Sequence, residues 1–209
     1  MRYIPYLALI SLTVILLTGT SEQGCQPVSP VKPSIPTTGR LTVLITDKPV
    51  GGVEKIYVTI SKLMVHRASP DEEIPPQGGE AVAEEMPEEE GSGWIGVPLL
   101  DENGNPVQLR EVELLSIEGV EQLLGRADLE PGIYTQIRLE LEGGKVVVGG
   151  ESSDLKLVGS SRLRIGRSFR IREGEETEIL LDFDADKSLI ETGKGEYLLK
   201  PVIKLVRVK

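Results

Sequence analysis

Glu130-Pro131-Gly132-Ile133-Tyr134-Thr135-Gln136-Ile137-Arg138-Leu139-Glu140-Leu141 is the stretch on which the fold rests. Pro131 supplies a fixed φ and Gly132 tolerates a positive one, so its first three residues read as a turn. Behind the turn, Ile133, Ile137, Leu139 and Leu141 fall on one face of an extended chain. Tyr134, Gln136, Arg138 and Glu140 fall on the other. A strand with one dry and one wet face belongs to an antiparallel sheet.

The same period runs outward in both directions. Leu41, Val43 and Ile45 alternate with Thr42, Leu44 and Thr46, and the run ends in the turn-like Asp47-Lys48-Pro49. Ile56, Val58 and Ile60 alternate with Tyr57, Thr59 and Ser61, after which Leu63 and Val65 continue on odd numbers. A bulge near Ser61-Lys62 accounts for that change of phase. Only residues 111–124 break the pattern: Val112, Leu115, Val120, Leu123 and Leu124 fit one or two short helical turns, interrupted near Gly119. Many short strands, glycine-rich turns and one brief helical connection predict an antiparallel β-sandwich, transthyretin-like or immunoglobulin-like, over residues 39–209.

Upstream of that body the chain carries an address. Arg2 is followed by an apolar run over residues 6–17, a small-polar stretch Thr18-Gly19-Thr20-Ser21, and Gly24-Cys25 with the single cysteine of the protein. This is the layout of a secretory signal over residues 1–24, and the run is too short to span a bilayer as a helix. Cys25 is the candidate lipidation site, and residues 25–38 form a proline-rich tether. Glu22 and Gln23 stand where lipoprotein signals usually place Leu and a small residue, so cleavage near Thr20 or Ser21 and, after it, retention as an uncleaved anchor are the alternatives. The expected location is the outer face of the membrane in the cell envelope, with membrane contact only through the N-terminal anchor. One cysteine per chain excludes an internal disulfide, so packing alone must hold the exported fold.

Net charge is -10, yet residues 71–90 contain nine acidic and no basic residues, so the rest of the chain is nearly neutral. Residues 69–93 read as a solvated acidic insertion between two strands, since high charge with few large apolar residues cannot offset the entropy of ordering. The acidity argues against nucleic acid as a partner.

Residues 162–186 look most like a site. Asp182, Asp184 and Asp186 stand at i, i+2 and i+4, as at the start of a calcium loop, but the sixth and twelfth positions hold Lys187 and Gly193 instead of Gly and Glu. A structural use competes with the metal. Folding the segment as a hairpin about Gly174 would set Arg172 against Glu176, Arg170 against Glu178, Arg164 against Asp184 and Arg162 against Asp186. This ladder is the preferred reading of the triplet, which leaves calcium as the alternative cofactor and no other cofactor expected.

Catalytic groups are few. His66 is the only histidine and reads as a strand residue, so zinc sites of the usual kind and Cys/His nucleophile schemes are absent. Trp94 reads as a core or edge aromatic in preference to a sugar-stacking platform. A carboxylate-dependent hydrolase needs two acids at a set separation, and nothing marks such a pair.

Several segments together resemble a bacterial and archaeal family of exported proteins, the domain of unknown function 4382 family. They are the residues from Gly39 to Asp47, Val53 to Ile60, Leu129 to Arg138, Leu181-Asp182-Phe183-Asp184-Ala185, and Tyr197-Leu198-Leu199-Lys200-Pro201-Val202-Ile203. The resemblance runs from about Gly39 to Val206. It implies an exported β-sandwich, often a lipoprotein, and brings no known chemistry. The reading is a non-catalytic envelope module, binding or structural, whose partner is an extracellular protein or glycan. Its recognition loops would follow Asp47, surround the insertion and cover residues 187–195. The alternatives are a calcium-dependent recognition or adhesion domain using Asp182, Asp184 and Asp186, and a carboxylate-dependent hydrolase.

Overall fold

The computed structural model describes residues 37–48, 51–69, 71, 81–83, 93–193 and 195–209. The signal segment, Cys25 and nearly all of the tether and acidic insertion therefore lie outside the described residues. Among the described residues no helix is long and apolar enough to cross a membrane.

In chain order the strands are β1 (Gly39–Asp47), β2 (Lys55–Arg67), β3 (Ala81–Ala83), β4 (Trp94–Gly96), β5 (Leu99–Leu100), β6 (Pro106–Val107) and β7 (Arg110–Glu113). A 3-10 turn, Leu114–Ile117, precedes β8 (Gln122–Leu129), β9 (Gly132–Val148), β10 (Glu151–Leu157), β11 (Arg162–Ile171) and β12 (Glu176–Phe183). One helical turn, α1 (Ala185–Ser188), leads to β13 (Leu189–Glu191), β14 (Tyr197–Leu199) and β15 (Ile203–Val208).

These strands make two sheets that share one core. The first runs β15-β12-β1-β8-β5-β6. The second is built on the long β9, which pairs with β2 along one edge and with β11 and β10 along the other; β3, β4, β7, β14 and β13 extend it. Leu41, Val43 and Ile45 of β1 and Ile179, Leu181 and Phe183 of β12 are fully buried, as are Ile137 and Leu139 of β9. Burying each such side chain contributes about 1.5–3 kcal/mol, before the entropy of ordering is set against it. The β-sandwich expected from the alternation is thus present, and the phase change at Ser61 is a register shift between Ile60 and Lys62.

Three expectations are corrected. The helical reading of residues 111–124 holds only for Leu114–Ile117, because Arg110–Glu113 pairs with β2 and Gln122–Leu129 pairs with β1. Tyr134 is not on a wet face: it is fully buried, since β9 shifts register against β2 at its N-terminal end.

The third correction is topological. β11 and β12 do not form a hairpin ladder. Gly174 makes the turn, with φ +68° and its N–H bonded to Thr38 O at 3.0 Å. The two strands then part: β11 pairs with β9 and β3, while β12 lies parallel to β1 and antiparallel to β15. The charges meant for the ladder find other partners. Glu176 accepts from Thr42 Oγ1 at 2.6 Å, Glu178 pairs with Arg207 at 2.7 Å, and Arg162 lies 3.6 Å from Glu140. β12 is an interior strand with both faces covered, which explains its unbroken apolar run Ile179-Leu180-Leu181.

Candidate functional site

Parallel pairing of β1 with β12 sets Thr46 beside Asp182 and Asp47 beside Phe183, so the acids at both strand ends meet at one corner. Asp47, Asp182 and Asp184 are each only 3% exposed. Asp186 is exposed on α1 and takes no part. The triplet read from the sequence is therefore a pair, joined by an acid from another strand.

Each acid has a distinct environment. Asp182 Oδ2 lies 2.7 Å from Lys48 Nζ, the residue directly after β1. Asp184 is the N-cap of α1: it accepts from the Lys187 N–H at 3.3 Å and from Lys187 Nζ at 2.7 Å. Asp47 Oδ1 accepts the Ala185 N–H at 3.0 Å, while its Oδ2 is buried with no hydrogen-bond partner.

The segment after the corner is stitched to it. Ser188, fully buried, donates from Oγ to Asp184 O at 2.6 Å and accepts the Val202 N–H at 2.9 Å. Asp184 N–H reaches Val202 O at 2.9 Å, and Lys200 N–H reaches Ser188 O at 2.8 Å. Three of the segments quoted from the sequence, ending at Asp47, spanning Asp182 to Ala185, and spanning Tyr197 to Ile203, thus converge here.

The electrostatics follow the partners. Burial pushes the Asp184 carboxyl up, but the Lys187 ammonium and amide, helped by Lys48, outweigh it and hold the group below the ordinary carboxylate range. Burial also pushes Asp47 up. The Ala185 and Lys48 amides offset part of that, the fields of Asp182 and Asp184 add to it, and the group comes to about 7. A carboxyl near neutrality is often a catalytic acid or base. This one has no exposed oxygen to offer a substrate, since the buried Oδ2 faces protein and Oδ1 is occupied.

Lysine ammoniums occupy the positions a cation would take beside Asp182 and Asp184, and among the described residues no group of three or more His, Cys, Asp or Glu is placed to hold a metal.

His66 Nδ1 lies 3.1 Å from Thr135 Oγ1, and its ring centroid is 5.0 Å from that of Trp94. The Arg138 guanidinium sits 3.8 Å over the Trp94 ring. Trp94 is therefore an edge-strand aromatic with one face already covered. A groove of about 500 Å³, with Met64, Val97, Pro98 and Val107 in its lining, has no acid among its lining residues. Glu111, Glu142 and Asp154 line a second hollow, of about 310 Å³, but all three are exposed.

Sequence reasoning placed Asp182 and Asp184 in a site and missed Asp47, Lys48, Lys187 and Ser188. The available signal was the segment ending at Asp47, already quoted beside the one containing Asp182 and Asp184.

Residues 38–201 match the family described as domain of unknown function (DUF4382). No curated protein matches the chain. A solved protein from Bacteroides fragilis NCTC 9343, provisionally named for cell adhesion, aligns with a TM-score of 0.34 and 10% identity over 82% of this chain. This chain spans 46% of that protein's length.

Proposed function

The chain belongs to the family described as domain of unknown function (DUF4382), and on that premise we propose that it is an exported, non-catalytic module of the cell envelope, binding or structural, held at the outer face of the membrane through Cys25. The observation that carries the reading is the N-terminal address: Arg2, the apolar run over residues 6–17, and Cys25 followed by four prolines before Gly39. A non-catalytic role is supported by how the chemical groups are used. Asp182 and Asp184 neutralise lysines, His66 contacts Thr135, and Trp94 lies under Arg138. The partner is an extracellular protein or glycan met by the loops that connect the strands.

The test is expression of the full-length chain in a bacterial host fed a radiolabelled fatty acid, followed by fractionation and intact-mass measurement. The expected result is an acylated protein in the membrane fraction that begins at Cys25, and an unlabelled Cys25→Ala variant. Recovery from the cytoplasm with residues 1–24 still attached would contradict the proposal.

A further inference from the structure

The three acids of the β1–β12 corner are not held alike. Lys48 holds Asp182 and Lys187 holds Asp184, whereas Asp47 meets a backbone amide, the Ala185 N–H, through Oδ1. Other charged groups surround the corner: Asp186 is exposed on α1, Lys204 stands opposite Asp182 on β15, and Glu118 forms a backbone bridge to Asp47. Asp47 Oδ2 itself is buried and has no hydrogen-bond partner. An ionised carboxylate in that position would place charge on a buried oxygen that no donor reaches. A neutral carboxyl would not.

Asp47 also has mechanical leverage. Its Oδ1 holds the Ala185 N–H, the first amide of α1, and so fixes the turn from the strand beside it. Beyond α1, the chain runs directly into β13 and β14 and back through Val202 to Ser188.

We propose that Asp47 is a proton-operated latch. With the carboxyl neutral, α1 is held against the end of β1. When the proton leaves, α1 and the β13–β14 hairpin loosen. The direction of the pH response is fixed by the folded state holding the proton more tightly than the unfolded chain does. The latch therefore favours the fold on the acid side, weakens it progressively as pH rises, and is fully released above about 7. Asp184, whose carboxyl is held below its ordinary range, acts oppositely: its contribution is present at neutral pH and lost only in stronger acid. On the exported reading proposed above, such a latch would loosen α1 and the β13–β14 hairpin in alkaline surroundings.

Hydrogen exchange of the full-length protein tests this. Amides of residues 185–199 are followed from about pH 5.5 to about pH 8.5, with the intrinsic pH dependence of exchange divided out. In the wild type, opening of these amides should rise at least tenfold between about pH 5.5 and about pH 7 and then level off. It should stay flat in Asp47→Asn, which keeps the Oδ1 acceptor and cannot ionise. Lys48→Met removes an ammonium from a half-exposed position, so its midpoint should move to higher pH. His66→Gln, a control at the single histidine, should leave the profile unchanged. A flat wild-type profile would overturn the proposal. So would an unchanged rise in Asp47→Asn, or an unmoved midpoint in Lys48→Met.

Discussion

Phe183→Ala should destabilise the protein by about 3–5 kcal/mol, lowering Tm by roughly 10 °C for a domain of this size. Phe183 is fully buried, lies between Asp182 and Asp184 in sequence, and sits beside Asp47 in the parallel pairing. Its side chain enters the core while its neighbours' carboxyls reach Lys48 and Lys187. Truncation would open a cavity beneath the corner and release the strand end that aligns both acids. Phe183→Leu refills most of the volume and should lose about 1.5 kcal/mol or less. Urea denaturation of both variants checks the ranking: equal losses would mean that Phe183 does not fill the core at this point.

Tyr134→Ala should have an effect of similar size, about 3–5 kcal/mol, for a reason at the other end of the sandwich. Tyr134 is fully buried, stacks on Phe169 with centroids 5.5 Å apart, and donates its hydroxyl to Glu130 O at 3.0 Å. The bond ties the start of β9 back to the preceding turn, a corner device that β-sandwiches use elsewhere. Tyr134→Phe keeps the ring and loses only the bond, so it should lose about 1 kcal/mol. Denaturation curves that place Phe and Ala variants together would show that the hydroxyl, and not the ring, carries the contribution.

The sandwich was legible in the sequence because period-2 alternation is local. β1, β2 and most of β9 each expose a dry face within a few residues, and the Ser61-Lys62 phase change announced its own bulge. Tyr134 misled because alternation assumes an unbroken register, and β9 shifts against β2 near Arg67. The β11–β12 ladder misled for a deeper reason. A tight turn at Gly174 and four complementary charges fit a hairpin, but strand partners are chosen by long-range packing. β12 gains an apolar neighbour on each side, β1 and β15, that β11 could not provide together. The corner was half-legible for the same reason. Asp182 and Asp184 stand together in sequence, whereas Asp47 is distant and becomes their neighbour only through the parallel pairing.

Asp182 pairs with Lys48 and Asp184 with Lys187, a use of both acids that serves the fold. Thermal melting of the full-length protein with calcium and again with EDTA, for wild type and Asp184→Ala, tests that use most directly. The same Tm is expected for wild type in both conditions. A lower Tm is expected for Asp184→Ala in both, since losing the cap and the ion pair costs about 1–2 kcal/mol. A calcium-dependent rise of several degrees in wild type, abolished in Asp184→Ala, would contradict that use and make the corner a metal site.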